Sequence, residues 1–151
     1  VKKNMYILRQ VWENADQEDK FRLANLGQSP SYISLATALS YYELTTQLQQ
    51  NFFESMALKR TKVIQLNGNA FRYTKIDSSL YFGFRKEKGF FMATPEKALL
   101  DAFYLMSYAR YSLDLSALEK ERFDRDIILS MSSEFPLKTR EKLKRYGYLQ
   151  V

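Results

Sequence analysis

Apolar positions recur along the chain in two different periods, and the switches between them predict its elements. Met5 and Ile7, with Tyr6 and Leu8 between them, read as a first strand over Met5 to Val11. An acidic turn from Asp16 to Asp19 then opens a helix whose apolar positions are Phe21, Leu23 and Ala24, followed by a loop from Gly27 to Pro30. Leu35, Ala38, Leu39 and Tyr42 fall at i, i+3, i+4 and i+7, one helical face, with Ser34 placed to cap it and an end expected near Leu44. From Phe52 to Leu58 the period drops to two. Val63 to Leu66 and Ala70 to Ile76 flank Asn67-Gly68-Asn69, the strongest short-range hairpin signal. Leu80 to Phe84 and Gly89 to Ala93 flank a charged turn, Arg85 to Lys88, and predict a second hairpin.

Helical periodicity returns at Thr94-Pro95. Thr suits the cap, Pro the first helical position, and Glu96 complements the positive end of the helix dipole. Ala98, Leu99, Ala102, Phe103 and Met106 form the apolar stripe. Ser116 is expected to cap a helix running to Phe123. Asp124 to Glu134 reads as another, with Ile127, Ile128 and Met131 inward, and Pro136 to Tyr146 as a last one stopped by Gly147. The fold class expected is α+β: an antiparallel sheet of about four to six strands with helices packed on one face and a C-terminal helical segment. Residues 1–151 are expected to form one domain, with 109–151 as its helical C-terminal extension. The chain opens on Val1 in what already reads as a strand, so a preceding N-terminal part is expected.

The composition narrows the chemistry. There is neither Cys nor His, which removes disulfides, thiolate ligands, Cys nucleophiles and the commonest general base and metal ligand. No phosphate-binding glycine loop and no metal-spaced cluster appears, so no catalytic residue, cofactor or metal is expected. Asp124 and Asp126 have no third ligand near them and read as charges at a helix start. No run reaches the roughly 18 consecutive apolar residues of a membrane span, and no signal peptide opens the chain. No membrane partner is expected, and the lack of Cys fits a cytoplasmic protein.

A net charge of +6 favours nucleic acid or an acidic protein as partner. Lys59, Arg60, Lys62, Arg72 and Lys75 occur with no acidic residue between Ala57 and Ile76, and the Asn67-Gly68 hairpin would bring them to one sheet end or face. They form either a solvated outer face or a phosphate-contacting surface. Lys138, Lys142 and Arg145 share a stripe of the last helix, where the dipole alone also favours cations. Asp101 is expected either to face solvent or to be a buried partner for a basic group; Lys97, four residues before it, can pair with it, and such an exposed pair is worth only about 0.3–0.5 kcal/mol. Tyr32, Tyr41 and Tyr42 belong either to the core or to a contact surface.

Two runs carry a resemblance. Pro30-Ser31-Tyr32-Ile33-Ser34-Leu35, continuing to Tyr41-Tyr42, resembles a segment characteristic of the AbiEi antitoxins. Ala36 stands where that family has an acid and Glu43 where it has glycine. Met92-Ala93-Thr94-Pro95-Glu96-Lys97-Ala98-Leu99-Leu100-Asp101 is similar to a second family segment, and Phe71-Arg72-Tyr73 and Tyr81-Phe82-Gly83 look like strand pieces between them. The resemblance covers roughly Met5 to Tyr108. It implies structural roles for Pro30, Ser31, Tyr32, Ser34, Tyr42, Thr94, Pro95, Glu96, Lys97 and Asp101. It also implies the C-terminal domain of a bacterial antitoxin and transcriptional regulator, without the winged helix-turn-helix that usually precedes it. Such a domain belongs to a toxin–antitoxin or abortive-infection system, counters a nucleotidyltransferase-type toxin, directly or indirectly, and assists binding to operator DNA. The alternative is a DNA-binding regulator domain with no antitoxin role.

Overall fold

The computed structural model describes residues 16–47 and 49–150. The strand expected over Met5 to Val11 lies outside them. Helix α1 (Gln17–Gly27) begins where the acidic turn predicts. The Asp16 carboxylate accepts the Asp19 amide at 2.8 Å, and Asp19 accepts the Asp16 amide at 3.3 Å, a reciprocal cap that satisfies two otherwise unpaired donors. Its buried side, Phe21, Leu23 and Ala24, is the expected one. Strand β1 (Ser31–Ile33) and the short helix α2 (Leu35–Tyr41) follow, then β2 (Phe52–Ala57).

β3 (Lys62–Leu66) and β4 (Asn69–Lys75) form the first hairpin. Asn67 and Gly68 have φ of 49° and 78°, the left-handed pair that a two-residue hairpin turn demands. In the second hairpin, β5 (Phe84–Glu87) and β6 (Phe90–Ala93), the turn is shifted from its expected place. Lys88 and Gly89 make it, with φ of 43° and 89°, so Arg85, Lys86 and Glu87 belong to β5. Leu80 lies instead in a 3-10 turn (Ser78–Leu80), where the Asp77 carboxylate accepts the Ser79 amide.

The sheet order is β3-β4-β2-β1-β6-β5. The α+β class holds, with antiparallel pairing for β1–β2, β3–β4 and β5–β6; β2–β4 and β1–β6 are parallel. The reason is that each hairpin returns its second strand inward, beside a strand already running that way. Alternation along the strands sends side chains to both faces. Phe53 and Phe90 meet Phe21 of α1, and the Tyr73 hydroxyl donates to the Ala24 carbonyl, so α1 covers one face. Tyr32 and Phe84 turn to the other, where α3 (Pro95–Ser107) packs. The helices therefore take both faces, where one was expected: α1 lies opposite α3, while α3 carries the later helices.

α1 also clasps the second hairpin. The Asn25 amide accepts the Phe91 N–H at 2.7 Å and donates to the Phe91 carbonyl at 3.4 Å. Arg22 donates twice to the Lys88 carbonyl, at 3.0 and 2.8 Å.

Thr94 caps α3, accepting the Lys97 amide at 3.3 Å, and Pro95 opens the helix as expected. The helix expected from Ser116 to Phe123 is replaced by two 3-10 turns, Leu115–Ala117 and Lys120–Arg122. Asp114 takes both the Ser116 amide and its hydroxyl, so Ser116 is locked into a turn and caps nothing. Helix α4 (Arg125–Ser132) is capped by Asp124; Ile128 is buried within it, whereas Ile127 is 39% exposed, against the inward position expected. Helix α5 (Leu137–Arg145) buries Thr139 and Leu143, and Gly147 at φ 81° follows its end. Both pack on α3. No helix among the described residues is long and apolar enough to cross a membrane.

Candidate functional site

The two long sequence runs meet in the interior. Lys97 and Asp101 are buried, at 0% and 1% side-chain exposure, with Nζ 2.7 Å from Oδ1. Of the two placings expected for Asp101 the structure takes the buried one, with Lys97 as its basic partner, so the pair is not exposed. Lys97 uses all three of its N–H groups, on Asp101, on the Tyr32 hydroxyl at 2.7 Å and on the Leu80 carbonyl at 2.8 Å. The second Asp101 oxygen accepts the Tyr32 and Ser34 hydroxyls, each at 2.8 Å. Ser34 thus spends its hydroxyl on Asp101 and does not cap α2 with it, although it occupies the cap position. The rings of Tyr32, Phe82 and Phe135 surround the ammonium at 5.1, 4.8 and 5.6 Å. Burial pushes the Lys97 amine down from its ordinary value, and Asp101 opposes the shift; burial, then Asp101, hold the Tyr32 phenol well above the usual tyrosine range. Every polar group here has its partner inside the protein. The network joins β1, the start of α2, the 78–80 turn and α3, and offers nothing free to a substrate. Gly83 is fitted against it: at φ 75°, an added Cβ would stand 2.8 Å from the Lys97 Cγ.

The remaining residues of the two runs serve nearby joints. The Tyr42 hydroxyl donates to the Ala93 carbonyl at 2.7 Å, and burial foremost pushes its pKa up to about 12. Glu96 is buried and accepts the Asp124 amide at 3.0 Å, fixing the start of α4 to the start of α3. Pro30 follows a cis peptide bond ahead of β1. Ser31 is buried, and its hydroxyl has no hydrogen-bond partner among the described residues.

A further buried carboxylate goes beyond what the sequence predicts. Glu54 is 1% exposed on β2, where it accepts the Tyr111 hydroxyl at 2.8 Å and the Gln49 amide at 3.3 Å. Burial raises its pKa, and the hydrogen bonds from Tyr111 and Gln49, with the Arg72 charge, only partly oppose this. The same carboxylate, after burial, helps hold the Tyr111 phenol above its usual range. The one sequence signal is a charge in the alternation Phe52, Glu54, Met56.

The cations divide. Lys59, Arg60 and Lys62 line a groove of about 640 Å³ between the end of α1 and β3, and no Asp or Glu lines it. The Gln28 side chain pins this segment to α1, donating to the Arg60 carbonyl at 3.0 Å and accepting its amide at 2.9 Å. Lys75 stands beside it, exposed, with its amide on the Thr61 hydroxyl at 2.9 Å. Arg72 does not join them. Lys62 is registered with Tyr73 and points to the α1 face, whereas Arg72 is registered with Glu54 and points to the other. The Lys138, Lys142 and Arg145 stripe sits on α5, which packs on α3 across the sheet from α1. It forms a separate group, with Lys138 5.0 Å from the Tyr108 ring and Lys142 5.5 Å from that of Tyr146. Among the described residues no three acidic, His or Cys side chains gather to hold a metal ion. Comparison with protein-family models, with curated proteins and with solved structures finds no match to this chain.

Proposed function

We propose that this chain is the antitoxin and regulatory domain of a bacterial toxin–antitoxin system, which acts by binding, assists contact with operator DNA and counters a nucleotidyltransferase-type toxin. The observation that supports binding best is the cationic groove: Lys59, Arg60 and Lys62, with Lys75 beside them, on a wall free of carboxylates. Phosphates along a duplex suit such a wall, because each neutralised phosphate releases condensed counterions. The antitoxin part rests on the resemblance of the runs around Tyr32 and Lys97.

The test is titration of the full chain with duplex DNA from upstream of its own gene, at several salt concentrations. The K59A/R60A/K62A variant should bind more weakly, with a salt slope flatter by about 0.9 for each phosphate no longer neutralised. R72A should bind like the parent, because its side chain belongs to the Glu54 side. Equal binding by parent and triple variant would remove the groove from the reading. Co-expression with the toxin of the same operon tests the other half. Growth restored supports the antitoxin role; DNA binding without restored growth leaves the regulator alone.

A further inference from the structure

A second cleft opens next to the cationic groove, sharing Leu26 and Ser29 with it but differing in chemistry. It has a volume of about 480 Å³ and lies between the last turns of α1, the 29–31 segment and the β5–β6 hairpin. Tyr81, Phe84, Phe91, Pro30 and Leu26 line it. Leu26 and Phe91 are 50% and 40% exposed and give the cleft an accessible apolar wall. The volume falls within the roughly 300–1,000 Å³ of small-molecule sites, whose walls are mostly apolar with a few polar groups.

The polar groups on its walls separate into used and unused. Asn25 is consumed by the Phe91 backbone, and Arg22 by the Lys88 carbonyl and by Asp19. The Ser31 hydroxyl, though it has no partner among the described residues, is enclosed and out of a ligand's reach. Of the two cations on the wall, Lys86 is the one with no hydrogen bond or ion pair among the described residues; its side chain stands 5.9 Å from the Phe91 ring, and no carboxylate shares the wall.

We propose that this cleft binds a small planar aromatic molecule carrying one anionic group. The ring lies among Phe84, Phe91 and Tyr81, and the anion faces Lys86. Ring-on-ring contact supplies most of the affinity, and the ammonium over Phe91 orients the charge. The site is independent of the nucleic-acid reading, since none of the groove lysines lines it.

The probe is 8-anilinonaphthalene-1-sulfonate, an aromatic ring system with one sulfonate, followed by fluorescence with the full chain. Binding should saturate at one equivalent and be displaced by 1-naphthoate, but at least about tenfold less well by uncharged 1-naphthalenemethanol. K86E should weaken it by about tenfold and F91A by several-fold, with K59E in the adjoining groove binding like the parent. Amide shifts on the unaltered chain, read by NMR, should gather at Ser31, Lys86, Gly89 and Phe91, a readout that needs no variant to fold. Shifts centred elsewhere, equal displacement by the uncharged competitor, or a weakening through K59E as large as through K86E would overturn the proposal.

Discussion

Asp101 and Glu54 are both carboxylates buried to 1% exposure, one on the helix that packs on the sheet and the other on a strand of it, and the protein handles them by opposite means. Asp101 is given a full countercharge four residues along its helix, two hydroxyls and a wall of rings. Glu54 is given a phenol and an amide, with Arg72 as strand neighbour but no ammonium or guanidinium in hydrogen-bond contact. The contrast shows what a buried charge requires. Removing either partner of a buried ion pair is severe, because the other is left uncompensated. A carboxylate met only by neutral donors is shifted toward its protonated form, and its loss is mild.

The largest effect expected follows from breaking the first arrangement. Lys97→Met should cost about 3–5 kcal/mol by denaturant melt, because Asp101 is left buried without its partner, and adding Asp101→Leu should recover most of that loss. Next comes Tyr32→Phe, which removes one donor to the Asp101 carboxylate and one acceptor for Lys97; about 1.5–3 kcal/mol is expected on the same melt. Gly83→Ala should cost about 1–3 kcal/mol, since its left-handed backbone and the Lys97 stem both resist a Cβ. A melting midpoint unchanged in any of these would mean the network holds less than its geometry implies.

The smallest effects belong to Glu54. Its folded pKa lies above the unfolded value of about 4.3, so the folded state holds the proton more tightly. Stability from this group is therefore fully present below the unfolded pKa and lost as pH rises through the folded one. Glu54→Gln should abolish that part of the decline and, at neutral pH, change stability by less than about 1 kcal/mol. A loss several times larger would show that Glu54 is needed ionised. The K59A/R60A/K62A change should shift stability by no more than about 0.5 kcal/mol, so any weakening of DNA binding reads on the groove itself.

Local chemistry is the legible part of the fold. Asn67-Gly68 places one hairpin, Thr94-Pro95 opens α3, and the Asp16–Asp19 turn opens α1, because each signal resides in adjacent residues. Whether Asp101 faces solvent or is buried against a basic partner stays open in the sequence for a physical reason. An i,i+4 pair looks the same whether its helix faces water or a core, and the partner that decides the matter, Tyr32, is 65 residues away. Arg72 departs from its expected place for another. The hairpin itself is expected, but only its register shows that Lys62 and Arg72 fall on opposite faces. The helix from Ser116 fails because Asp114, two residues earlier, captures the serine first. Glu54 and its distant partner Tyr111 are joined only by the fold.

The two contacts of Asn25 with Phe91 have a kinetic corollary. A side chain there does what a neighbouring strand would do for the Phe91 backbone, so that amide is protected from solvent only while the helix above it stays down. Its hydrogen-exchange rate therefore times the lifting of α1 directly, in the unaltered protein. If the rate falls when an aromatic anion is added, the helix and the hairpin close on a guest as one jaw.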